Sequence, residues 1–189
     1  MENTVRTAVY DATTQVLMEK GLKGLQMRFV AKQAGIATGT LYNYFKNKND
    51  LLLYVYEKIF EDFFTRISHA SGHEMSPENR LSEVVSKYFE FMEENLDLFK
   101  FLEEANIFQR SNNTVLFLHD EKCVGVFEEI LKQGIKKNLF KDVEPNHTAW
   151  LFHGSIVGIL RTKGDRDSFE PQKEAQNLIN MFNSHLGID

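Results

Sequence analysis

The sequence predicts an all-α chain of about nine helices, on three observations. Apolar residues recur at helical spacing through most of the 189 residues, only three prolines interrupt them, and few runs alternate in polarity as strands do. The chain is 42% hydrophobic and 26% charged, enough apolar material to bury a core in one large or two small domains.

Each element has its own signal. Val5, Val9, Ala12 and Val16 share a face, so residues 3–20 form an amphipathic helix that Gly21 and Gly24 end. A short helix follows over residues 27–34, with Val30, Ala31 and Ala34 inward and Gly35 where a left-handed residue would close it. Thr38 or Thr40 caps a third short helix carrying Leu41, Tyr42, Tyr44 and Phe45. Two short helices joined by a turn containing glycine make a helix-turn-helix. After the break "KNKND", a long helix over residues 48–69 presents Leu52, Val55, Tyr56, Ile59, Phe60, Phe63 and Ile67. "SGHEMSP" is a loop in which Ser76 caps the next helix and Pro77 takes its first position. That helix carries Leu81 to Met92, another covers 96–109, and "RSNN" marks a turn. Cys123, Phe127, Ile130 and Ile135 lie on one stripe of a helix over 113–138. Pro145 opens a helix apolar on nearly every side, and "TKGDRDS" separates it from a last helix carrying Leu178, Ile179, Phe182 and Leu186. Two domains are expected, 1–47 and 48–189.

Several function classes find no support. One cysteine, Cys123, excludes an internal disulfide, and its place beside Phe127 and Ile130 marks a small buried hydrophobe. His69 and His73 have metal-like spacing without a third ligand, so no metal site is expected. Neither a phosphate loop nor a nucleophile elbow nor a catalytic carboxylate pair is present, which points away from an enzyme and from any cofactor. The polar amino terminus and the lack of a long apolar run predict a soluble cytoplasmic protein with no membrane segment.

Charge singles out one stretch. The chain carries −5 overall, yet residues 1–50 hold seven Lys/Arg against four Asp/Glu, a net of +3. No acid stands between Glu19 and Asp50, where six Lys and Arg do. Uncompensated positive charge attracts phosphates and displaces their counterions. A helix-turn-helix lays its second helix in the major groove. Leu41 and Phe45, four apart, would anchor that helix, leaving Thr40, Tyr42, Asn43 and Tyr44 polar ends for phosphates or bases. Gly39 leaves room for a sugar-phosphate backbone, and Lys46 and Lys48 flank the exit near the amino end of the fourth helix.

"AGIATGTLYNYFKNKNDLL", with "MRFVAKQ" before it, resembles the DNA-binding domain of the tetracycline-repressor (TetR) family of bacterial transcription regulators over residues 5–52. The resemblance implies a homodimer on a double-stranded, near-palindromic DNA operator, with an effector pocket in the second domain. By position, Arg28 would contact phosphate, Thr40, Tyr42, Asn43 and Tyr44 the groove and its walls, and Lys48 phosphate. Ala37 replaces a frequent serine, whose hydroxyl Thr38 would have to supply; Gln26 replaces a usual threonine cap and Phe29 a usual polar residue.

Two readings of the rest stay open. The helix from Pro145 and the last helix would form a dimer surface, with Gly154, Ser155 and Gly158 allowing close approach, or pack within one chain. Phe89, Phe91, Phe99, Phe101, Phe108, Phe117, Phe127 and Phe152 would line an apolar pocket or fill a closed core. Glu103, Asn106, Arg110, His119 and His153 would orient a ligand such as a fatty-acyl compound or an apolar drug. The expected function is that of a repressor released when an effector changes the ~34 Å separation of two reading helices, with the fourth helix as lever. The alternative is an all-helical carrier or scavenger of apolar small molecules that does not bind DNA.

Overall fold

The computed structural model describes residues 2–70, 75–105, 113–163 and 169–188. Among them are eight helices and no strand: α1 (Glu2–Gly24), α2 (Met27–Gln33), α3 (Thr38–Tyr44), α4 (Lys48–Ala70), α5 (Pro77–Glu104), α6 (Asn113–Lys136), α7 (Pro145–Lys163) and α8 (Pro171–Leu186). The chain is all-α, as its periodicity predicts. The two helices expected over 77–109 are one through Glu104, because no glycine or proline breaks the stretch and its "EEN" continues the helix, with Glu93 and Glu94 exposed. Contacts divide the chain into two compact units: Met1–Glu61 with Asp97–Val115, and Asp62–Leu96 with Leu116–Asp189. The first of these units takes in the start of α4 and the end of α5.

In the first unit α1 packs on α2, and α2 on α3. Val9, Val16, Leu17, Val30, Ala31, Leu41, Phe45, Leu51, Leu52 and Val55 are buried there. α1 is broken at Gly21, whose φ of 64° and ψ of −178° no helix contains. α2 ends at Gly35, which has φ 68°; Ile36 N–H donates to Ala31 O at 3.0 Å and Gly35 N–H to Lys32 O at 3.2 Å. This paired closure needs a left-handed residue, which glycine supplies without strain. Neither threonine caps α3: the capping position is Ala37, in extended conformation and without a side-chain bond. Thr38 is already helical, so its hydroxyl is not held at a cap.

The second unit has an aromatic core. Tyr88 of α5 meets Phe63 of α4 edge-on at 4.7 Å and Phe127 of α6 at 5.9 Å. Phe152 of α7 stacks on Phe182 of α8 with centroids 3.7 Å apart. Arg80, in the first turn of α5, is 1% exposed and donates to Gln133 Oε1 of α6 at 2.6 Å. Ser76 Oγ accepts the Asn79 N–H at 3.3 Å, as the "SP" signal predicts.

Gly134 in α6 shows how tightly this unit is packed. A Cβ there would stand 2.1 Å from Cδ2 of the buried Phe140 ring, whose backbone N–H also bonds to Gly134 O. Gly134→Ala is expected to destabilise the protein by about 1–3 kcal/mol in urea unfolding, the usual loss on overpacking. An unchanged midpoint would mean that the ring yields freely.

Candidate nucleic-acid interface

The third helix is seven residues long. Its inward side is Leu41, 0% exposed, followed by Phe45 at 2%. The opposite side presents Thr38, Gly39, Tyr42 and Asn43, all exposed, with exposed Lys46 just beyond. Spacings of three and four place these on one face. Tyr42 is 51% exposed, and a Cβ on Gly39 would meet no atom within 4 Å, so that end of the helix is open to a close-approaching backbone. Thr40 and Tyr44 are half-buried.

Tyr44 is held from below by a residue that sequence reasoning missed. The Arg6 guanidinium of α1 lies 5.7 Å from the Tyr44 ring, 5.5 Å from Phe45 and 5.5 Å from Tyr54 of α4. A cation over three rings ties α1, α3 and α4 together and contributes roughly 0.5–2 kcal/mol per favourable face. A lone arginine on an amphipathic helix carries no sequence signal for this.

Phe29, an unusual residue for its place, also has cationic neighbours. Lys20 Nζ stands 4.3 Å and the Arg28 guanidinium 4.9 Å from its ring centroid. Both cations are exposed, so the ring orients them without removing them from water. The break "KNKND" is a cap: Asn47 Oδ1 accepts the Asp50 N–H at 3.0 Å, and Asp50 Oδ2 accepts the Lys46 N–H at 2.9 Å. The acid that ends the acid-free stretch is thus spent on the backbone at the start of α4. Lys48 is half-buried, and its ammonium donates to Leu22 O of α1. Burial pushes its pKa below the ordinary lysine value, while the Glu104 carboxylate acts the other way.

The residues expected to hold a ligand do not fall in one unit. Phe89, His119, Phe127, Phe152 and His153 belong to the second, whereas Phe99 and Glu103 belong to the first. Asn106, Phe108 and Arg110 lie outside the described residues, as do His73 and the side chains of Glu103 and Phe117. Phe89, Phe127 and Phe152 are buried, and Phe99 and His119 half-buried. His153 is 5% exposed, with both ring nitrogens engaged: Nε2 lies 3.0 Å from Asp120 Oδ1 and Nδ1 3.1 Å from Tyr88 Oη. A neutral ring satisfies both, donating to the carboxylate and accepting from the hydroxyl. Next to Tyr88, burial pushes the Cys123 thiol up to about 12, so the sulfur stays protonated. Among the described residues no group of three His, Cys, Asp or Glu could hold a metal, and no helix is long and apolar enough to cross a membrane.

Residues 9–55 match the family model for bacterial regulatory proteins of the tetR family. The fatty acid metabolism regulator protein of Bacillus subtilis (strain 168) is 30% identical over 71% of this chain and 70% of its own. A TetR/AcrR-family transcriptional regulator from Thermobifida fusca superposes with a TM-score of 0.78 at 17% identity, over 93% of this chain and 94% of that one. The fatty acid degradation regulator FadR from Bacillus halodurans does so at 0.71 with 21% identity, over 93% of each chain. These structures share the fold, while the Bacillus subtilis relative extends the likeness well beyond the helix-turn-helix. The carrier alternative therefore gives way: the chain belongs to the tetR family of bacterial regulatory proteins, DNA-binding transcriptional regulators and not enzymes.

Proposed function

We propose that this protein is a cytoplasmic, dimeric repressor that leaves its operator when an apolar small molecule binds its second unit. The observation that carries the reading is the exposed row Thr38, Gly39, Tyr42 and Asn43, backed by buried Leu41 and Phe45. Residues 1–47 act as the DNA-binding domain in this reading. Asn43 and Tyr42 meet base edges, Thr40 and Tyr44 line the groove wall, and Arg28, Lys46 and Lys48 meet phosphate.

A second copy would sit on α7 and α8. Leu151 and Met181 are 52% and 49% exposed there, and added Cβ atoms on Gly154 and Gly158 would meet nothing within 4 Å. Such a face buries apolar surface when two helix pairs form a four-helix bundle. Fatty-acyl compounds are the favoured effector class. The aromatic core of the second unit suits them, and the Bacillus relatives are named for fatty acid metabolism and degradation. The remaining residues 48–189 would bind the effector and dimerise, and α4, shared by both units, would carry the response to α3.

Fluorescence anisotropy on labelled duplexes tests the interface. Arg28→Ala should weaken binding to all sequences alike and reduce the salt slope by about 1, whereas Asn43→Ala should mainly alter sequence preference. Neither variant changing DNA binding would refute the placement of α3. Long-chain fatty acids and their thioesters added to the operator complex should release the DNA. Failure of every such compound would refute the effector class while leaving the DNA-binding reading intact.

A further inference from the structure

We propose that Glu104, the last residue of α5, rivals DNA for Lys48 and so limits how tightly the first unit holds a phosphate backbone. This rests on the reading of Lys48 as a phosphate contact.

The geometry starts at Gly21. Its non-helical conformation breaks α1 and precedes the Leu22 carbonyl that accepts a hydrogen bond from Lys48. The end of α5 packs at the same corner: Phe101 Cε1 lies 3.9 Å from where a Cβ of Gly21 would stand, and Leu102 and Ala105 are buried. Glu104 follows Phe101 by three residues, hence on the same side of the helix. It is exposed, on the side of α5 that meets this corner, and its charge favours the protonated Lys48 ammonium that burial disfavours. All five groups, Gly21, Leu22, Lys48, Phe101 and Glu104, belong to one compact unit.

An ammonium has three donors. Lys48 gives one to Leu22 O, which fixes its direction and leaves two for a phosphate oxygen. A phosphate arriving there also meets the field of Glu104. Like charges within a Debye length, about 8–10 Å at ordinary salt, repel, so the carboxylate opposes the contact that the lysine favours. The sequence between Glu19 and Asp50 is free of acid, but the fold brings one back from the end of α5. A regulator gains by this arrangement. α5 begins at Pro77, in the second unit, and any shift of its far end changes the charge felt at Lys48.

The test is a double-mutant cycle on the full-length protein with a fluorescein-labelled, mixed-sequence duplex. Glu104→Gln should bind roughly two- to tenfold more tightly than the parent at about 50 mM salt, and the gain should shrink at about 200 mM. In the Lys48→Gln background the same change should have little effect. Equal affinity of E104Q and the parent at low salt overturns the proposal, as does a gain that persists undiminished without Lys48. Circular dichroism melting of all four proteins separates either result from misfolding. If K48Q alone binds DNA as well as the parent, Lys48 is no phosphate contact and the proposal falls with it. The Arg28→Ala measurement then still decides whether the interface itself is correct.

Discussion

A helix of seven residues has no stability of its own in water, because nucleating a helix costs more than so few hydrogen bonds return. The third helix of this protein therefore exists only as long as Leu41 and Phe45 remain buried. Gly35 turns the chain sharply enough to bring α3 back onto α2, and Arg6 closes the far side by lying against Tyr44, Phe45 and Tyr54. Asn47 then caps the start of α4 by accepting the Asp50 N–H, and Asp50 in turn accepts the Lys46 N–H just before the helix. With the helix fixed this way, its remaining side chains have one direction in which to point.

Electrostatics adds a second layer. Lys20, Lys23, Arg28, Lys32 and Lys46 are all exposed, so most of the positive charge in the acid-free stretch does reach the surface. Lys48 differs, being half-buried and tied to Leu22 O. A constrained cation gives geometric precision where a solvated one gives only attraction, and a constrained cation is also the one a neighbouring carboxylate can influence most. The surface thus combines exposed, solvated cations with one lysine held in a fixed direction.

Much of the fold was legible in the residues because the signals were local. Apolar spacing located the helices, glycine at residue 35 marked a left-handed turn, and the serine–proline pair at 76 and 77 marked a helix start. The outward row of α3 followed from the four-residue separation of Leu41 and Phe45. What escaped was non-local or ambiguous. No pattern in α1 foretells that Arg6 lies beneath three rings, or that Glu104 reaches the corner where Lys48 sits. Threonine hydroxyls near a helix start look like caps, yet Ala37 holds that place because Thr38 already has helical geometry. Two helices were expected where α5 runs unbroken to Glu104, because nothing local forces a break there. The phenylalanines looked like one set, but Phe99 and Phe127 belong to different compact units. Composition counts aromatic residues without saying which will share a core.

The central claim is that the exposed face of α3 enters DNA. The most direct measurement places a photoreactive phenylalanine analogue at Tyr42, on that face, and separately at Leu118, equally exposed on α6 of the second unit. Irradiation with a duplex bound should cross-link DNA bases from position 42 and not from position 118. Cross-links from 118 alone, or from neither position while the duplex stays bound, would contradict the account.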